Sequence, residues 1–150
     1  MTVDFSFKRA PTYRLATIRW KGPWSDAKIH AQFRRILAWA KREGVTTGRW
    51  VFTEPGDRTW EVGLEVKGAK RGGPGIRLKA LPASRVATVE FDPEVVSARV
   101  IYHGLTDWLR WRKKEREVRS VGMYREVYSG DPWSDRRAAS HVRIEIVVRP

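Results

Sequence analysis

The 150-residue chain has no cysteine, no asparagine and a single glutamine, Gln32. Without cysteine there can be no disulfide, no thiolate nucleophile and no Cys-ligated zinc. No apolar stretch approaches the ~20 residues a membrane helix needs. The first eleven residues carry neither the apolar core nor the small-residue cleavage pattern of an export signal, so a cytoplasmic location is expected. Acid is scarce relative to base, with 17 Asp+Glu against 30 Lys+Arg and a formal charge of +13. Few thermolabile residues beside many charged ones fit a protein from a hot environment, and codon bias in a GC-rich genome gives the same composition. Either origin accounts for part of the basic charge without a partner.

Catalytic signatures are equally sparse. His30, His103 and His141 have no metal-ligand spacing and no HExxH occurs. There is no Gly-x-Ser-x-Gly elbow, and Lys70-Arg71-Gly72-Gly73-Pro74-Gly75 lacks the Lys-Ser/Thr ending of a phosphate-binding loop. Nothing calls for a cofactor or a metal. What is present is core material: 41% of residues are hydrophobic and 11% aromatic, enough for a single domain over 1–150.

The chain repeats itself. Arg14-Leu15-Ala16-Thr17-Ile18 recurs as Arg85-Val86-Ala87-Thr88-Val89, and Ile36-Leu37-Ala38-Trp39-Ala40-Lys41 as Trp108-Leu109-Arg110-Trp111-Arg112-Lys113. Gly48 to Asp57 aligns with Gly122 to Asp131, and Val62-Gly63-Leu64-Glu65-Val66 with Val142-Arg143-Ile144-Glu145-Ile146. The offsets grow in order from 71 through 72 and 74 to 80, as loops lengthen. Two copies of one unit follow, module one over about 1–70 and module two over about 76–150. Each reads strand, helix, strand, strand. The expected fold is α+β: duplicated β-α-β-β modules with pseudo-twofold symmetry, an antiparallel sheet with helices on one face and a ligand cleft on the other.

Local signals mark the helices. Ser25 suits an N-cap, Ile29, Phe33, Ile36, Leu37 and Ala40 form a stripe, and Gly44 closes the helix. In the second copy Asp92-Pro93-Glu94 is expected to open a helix whose stripe is Val100, Ile101, Leu105 and Trp108, with Gly104 where a neighbour approaches closely.

The candidate site centres on residues 124–128. Strand alternation puts Tyr124, Glu126 and Tyr128 on one face and Met123 and Val127 on the other. With Met123 and Val127 assigned to the helix side, the Tyr-Glu-Tyr face is expected to look into the cleft. The repeat places Trp50 and Phe52 at the corresponding positions of the first copy, Phe52 standing where Glu126 stands. Aromatic walls around one carboxylate without a basic partner suit a flat lipophilic cation, each ring face contributing roughly 0.5–2 kcal/mol. The competing reading makes Tyr124 and Tyr128 ordinary sheet residues and pairs Glu126 with Arg125 or Arg143. Trp24 either roofs the cavity or staples the helix start, and Trp133 either covers the site or plugs a sheet edge. Trp20, Trp39, Trp108 and Trp111 are assigned to packing, and Glu65 and Glu145 to solvated sheet faces. Arg110, Arg112, Lys113, Lys114, Arg116 and Arg119 cluster along one helix end, but no nucleic-acid-binding motif accompanies them.

The pattern resembles the GyrI-like small-molecule-binding domains. The residues that carry it are Leu15-Ala16-Thr17-Ile18-Arg19 leading to Gly22-Pro23-Trp24, then Leu81-Pro82-Ala83, Arg125-Glu126-Val127-Tyr128 and the closing Val142-Arg143-Ile144-Glu145-Ile146-Val147-Val148. The resemblance implies two β-α-β-β modules and a pocket for lipophilic, often cationic compounds, of the multidrug-sensing kind. Glu126 stands where the family has its buried glutamate, with Tyr124, Tyr128, Trp50 and Trp24 as the surrounding wall. Phe91-Asp92-Pro93-Glu94 departs from the family's second Gly-Pro-aromatic turn. Related stand-alone members hydrolyse cyclopropane-bearing toxins, which keeps open a hydrolase reading with Glu126 orienting water. With the family-like portion spanning the chain, a free-standing sensor, sequestering protein or hydrolase is expected rather than a complete MerR- or AraC-type regulator. Nucleic-acid binding through the basic surface is the third reading.

Overall fold

The computed structural model describes residues 3–116 and 119–149, with side chains outside 113–123. The chain divides into two compact units, Thr12–Pro82 and Met1–Pro11 with Ala83–Pro150. The first holds β2 (Tyr13–Lys21), α1 (Asp26–Glu43), β3 (Thr46–Gly56), β4 (Thr59–Lys67) and β5 (Arg77–Leu81). The second holds β1 (Ser6–Ala10), β6 (Ser84–Phe91), α2 (Ala98–Arg116), β7 (Arg119–Tyr128), α3 (Arg136–Ser140) and β8 (Val142–Arg149). Every pairing within each is antiparallel: β3-β4-β2-β5 in one, β7-β8-β6-β1 in the other. The α+β class and the duplication are thus as expected. The jump in repeat offset from 74 to 80 falls where α3 is inserted between β7 and β8.

Two strands lie outside the repeat. β1 runs into β2 in sequence yet pairs with β6, Ser6 opposite Thr88, while β5 runs towards β6 yet pairs with β2, Thr17 opposite Arg77. Each unit therefore borrows its edge strand from the segment preceding the other repeat. Pro11 and Pro82 sit at the two crossings, where a residue without an N–H ends a ladder at little cost.

The first helix forms as its sequence dictates. The Ser25 side chain accepts from the Lys28 N–H at 3.1 Å, and Gly44 closes the helix with φ +65°. Ile29, Phe33, Ile36, Trp39 and Ala40 are buried on its inner face. The second helix starts later than the sequence suggested. Asp92 caps a turn instead, taking the Glu94 N–H at 2.9 Å, and Ser97 caps α2 by accepting the Val100 N–H at 3.3 Å. That shift turns the stripe: Ile101, Leu105 and Leu109 are buried against Val89, Phe91, Ile144 and Ile146, whereas Val100 is 60% exposed. Gly104 admits the Phe5 ring, which a Cβ would meet at 2.9 Å. Trp39 is core, but Trp111 is exposed.

The last-strand carboxylates are ion-paired rather than solvated. Glu145 is 2% exposed between Arg125 Nε at 2.8 Å and Arg143 Nε at 2.9 Å. Register explains it: Arg125 lies directly opposite Glu145, and Arg143 precedes it by two positions on the same face. Glu65 takes Arg49 Nη2 at 2.6 Å and the Arg49 backbone N–H at 3.1 Å. Gly48 makes room, since a Cβ there would stand 2.7 Å from Glu65 Oε1.

Leu105→Ala should cost ~2–5 kcal/mol of unfolding free energy, and Val100→Ala about 0.5 kcal/mol or less, in urea titrations. The Arg49 hydrogen bonds hold the Glu65 carboxyl below its ordinary value of 4.5. Its contribution is therefore present above pH 4.5 and lost as pH falls through the lowered folded value. Arg49→Met should show a shallower loss of stability than wild type between pH 5 and pH 3.

Candidate functional site

On β7, alternation places Tyr124, Glu126 and Tyr128 on one face and the buried Arg125 and Val127 on the other. The first of these faces looks at α2, the reverse of the sequence expectation. Met123 lies outside the described side chains. The cross-strand register decides the matter. Tyr124 and Glu126 stand opposite Ile146 and Ile144, and those two isoleucines pack with Ile101 and Leu105 of the helix. Directly opposed residues share a face, so the carboxylate points to the helix side.

There α2 supplies a polar pair one turn apart. The Tyr102 hydroxyl donates to Glu126 Oε1 at 2.7 Å, and the Tyr128 hydroxyl donates to Oε2 at 2.6 Å. Thr106 donates its hydroxyl proton to the Tyr102 carbonyl at 2.9 Å, so in its hydrogen bond with Tyr124 the tyrosine is the donor. The Tyr102 and Tyr124 rings meet edge to face, centroids 4.8 Å apart at 88°. Glu126 is half-buried, and among the described residues no Lys or Arg pairs with it. Arg125 and Arg143, its rival partners in the sequence reading, both turn to Glu145. Burial first, and the Glu126 charge second, push the Tyr102 phenol far above its ordinary value of 10. Tyr102 thus remains a neutral donor to the carboxylate.

Of the remaining candidates, Trp24, Phe52 and Trp50 belong to the first unit and Trp133 to the second. In the first unit Trp24, 55% exposed, stands edge-on to Phe52 at 5.6 Å and to Trp60 at 5.3 Å, and Phe52 and Trp60 stack at 6.2 Å. Trp60 is pinned by donating its indole N–H to the Gly22 carbonyl at 2.9 Å. Trp50 is 3% exposed and stacks on Phe33 of α1 at 4.6 Å, as a core residue does. Trp133 is exposed on the loop before α3, its backbone N–H held by Asp131 Oδ1 at 2.9 Å. Trp24 therefore stands with Phe52 and Trp60, Trp50 packs on Phe33 of α1, and in the second unit Tyr124, Glu126 and Tyr128 gather with Tyr102 and Thr106.

Sequence reasoning missed Tyr102, Thr106 and Trp60. The signal for the first two was a Tyr and Thr spaced i, i+4 beside the Ile101/Leu105 stripe, which predicts a polar seam at the helix–sheet boundary. Trp60 follows the positive-φ pair Asp57 and Arg58 of a hairpin and lies opposite Trp20. In the basic cluster Arg110 reaches Asp107 at 3.6 Å and Arg112 lies over the Trp108 and Trp111 rings. The side chains of Lys113, Lys114, Arg116 and Arg119 lie outside those described. Among the described residues no group of three His, Asp or Glu gathers to hold a metal, and no helix is long and apolar enough to cross a membrane.

Four solved structures share this architecture. The C-terminal domain of EcmrR superposes with a TM-score of 0.78 at 18% identity, covering 99% of both chains. EcmrR in its complex with DNA gives 0.75 at 18%, with 98% of this chain covering 57% of that one. A hydrolase encoded by lin2189 from Listeria innocua gives 0.58 at 10%, over 97% and 91% of the two chains. SAV2435 bound to tetraphenylphosphonium gives 0.53 at 10%, over 97% and 94%. No curated protein matches the chain in sequence. The model of the GyrI-like small molecule binding domain matches residues 4–149, and the chain belongs to that family.

Proposed function

We propose that the chain binds lipophilic cations through Glu126, with Tyr102, Tyr124 and Tyr128 around it. One observation carries the reading: both oxygens of a half-buried carboxylate accept hydrogen bonds from neutral phenols, and among the described residues no cation offsets it. Phenolic donors stabilise the anion without cancelling its charge. An incoming cation gains the full electrostatic interaction in a partly desolvated setting, plus roughly 0.5–2 kcal/mol from each ring face it meets. A neutral guest of equal size gains only the apolar part, so charge selects the ligand. The bound tetraphenylphosphonium of SAV2435, a protein of similar fold, supports the class. In the first unit the exposed Trp24 ring, edge-on to Phe52 and Trp60, offers an aromatic surface, and Trp133 offers another on the second.

A hydrolase reading draws on the likeness to the lin2189 protein. It requires Glu126 to take a proton from water, and both carboxylate oxygens already accept a phenolic hydrogen bond, which leaves neither free to orient that water. Binding is the reading the geometry favours. Incubation with a cyclopropane-bearing alkylator should give binding without product, and turnover lost in Glu126→Gln would establish the alternative.

Titration with tetraphenylphosphonium, followed by tryptophan quenching, should show Glu126→Gln at least ~10-fold weaker than wild type, about 1.4 kcal/mol. Tyr102→Phe removes one hydrogen bond to the carboxylate and should weaken binding ~2–10-fold. Equal affinity in wild type and Glu126→Gln contradicts the reading. Because the folded value of Tyr102 is raised, its stabilisation is complete below pH 10 and lost as pH rises above it. Tyr102→Phe should accordingly lose less stability than wild type between pH 9 and pH 11.

A further inference from the structure

The first unit has a cleft of about 610 Å³ beside β5, on the sheet face opposite α1. Its lining brings together Arg19 and Thr17 of β2, Glu61 of β4, Arg77 and Lys79 of β5, and the turn around Gly73–Ile76. Three cations thus face one carboxylate, and that carboxylate is fully occupied. Glu61 Oε2 takes Arg19 Nε at 3.0 Å and Oε1 takes Lys79 Nζ at 2.8 Å. Arg19 bonds through Nε alone, which leaves both its Nη groups for another acceptor. The Arg77 guanidinium is exposed and has no partner among the described residues. Two positive charges remain uncompensated around one concavity.

The turn that walls the cleft is fixed before any ligand arrives. Gly73 and Ile76 exchange backbone hydrogen bonds at 3.2 and 2.9 Å, and Arg35 Nη2 donates to the Pro74 carbonyl at 2.8 Å. A Cβ at Gly72 would sit 2.0 Å from the Ile76 oxygen, and one at Gly73 would sit 2.7 Å from the Trp39 ring. Glycine is needed there because the backbone folds onto itself and onto α1. The sequence motif Lys70-Arg71-Gly72-Gly73-Pro74-Gly75, which lacks a phosphate loop's ending, thereby acquires a structural role as a rigid wall beside basic side chains.

We infer that this cleft binds a small doubly charged phosphate compound, a diphosphate or a phosphate ester. The two-charge excess matches a dianion, and the guanidinium forks of Arg19 and Arg77 suit tetrahedral oxyanions. The Thr17 hydroxyl donates to the Arg77 carbonyl at 3.3 Å and so belongs to the wall. The volume accommodates a phosphate compound with a substantial organic portion. The site is independent of the cation-binding reading: no residue is shared, and the ligand has the opposite charge.

Calorimetric titration with pyrophosphate, with succinate as a dianion of different geometry, tests the inference on the intact chain. Wild type should bind pyrophosphate at one site per chain and more tightly than succinate. Arg77→Met should weaken pyrophosphate at least tenfold; Arg9→Met, which removes an exposed arginine of β1, should stay within twofold. Both arginine variants keep the Glu61 ion pairs, so loss of folding is not in play. No binding by wild type, a tighter hold on succinate, or equal weakening by Arg77→Met and Arg9→Met, the mark of diffuse attraction to a +13 chain, would overturn it.

Discussion

A carboxylate bonded, among the described residues, only to phenols is the interaction on which the functional account rests. Tyr102 and Tyr128 donate to the two Glu126 oxygens and take the place of water there. Arg125 and Arg143, the two arginines nearest in sequence and register, pair with Glu145 instead. The buried Arg125–Glu145–Arg143 cluster and the Glu126 site are therefore two halves of one arrangement. Strand alternation sends basic residues to one face and the lone acid to the other. Were Arg125 on the helix side, the acid would be neutralised within the protein and have nothing to offer a cation.

The duplication shows how one scaffold was specialised differently in its two copies. Where the second unit has Glu126, the first has Phe52; where it has Tyr124, the first has Trp50; and the helix position of Tyr102 is taken by His30. The first copy has filled its helix–sheet boundary with stacked rings, Phe33 on Trp50 and Phe52 on Trp60. The second has kept a hydrogen-bonded polar seam in the same place. An apolar seam contributes burial and stability; a satisfied polar seam contributes a positioned charge.

Much of this was legible in the sequence, and the failures have physical causes. The repeat set the order of strands and helices, and the Ser25 and Gly44 caps marked the first helix because capping is a local property. The borrowed edge strands were not legible: pairing of β1 with β6 joins residues almost eighty positions apart. The face of Glu126 was misjudged because alternation says which residues share a side, not which side meets the helix. That is decided by Ile144 and Ile146 on the neighbouring strand. Tyr102 escaped notice for the related reason that a tyrosine beside an apolar stripe reads as core until its hydroxyl partner is known. Glu145 was assigned to solvent although its arginine partners were visible in sequence, because cross-strand register, not spacing, brings Arg125 opposite it.

The central claim is that a cationic guest is met by the Glu126 carboxylate itself. The most direct measurement is the carboxyl carbon resonance of that residue, assigned by its absence in Glu126→Asp, followed by NMR as tetraphenylphosphonium is added. The account predicts a saturable displacement of the Glu126 signal while that of Glu145, already closed between two guanidinium groups, stays in place. A saturable response at other residues with the Glu126 resonance unmoved would contradict it.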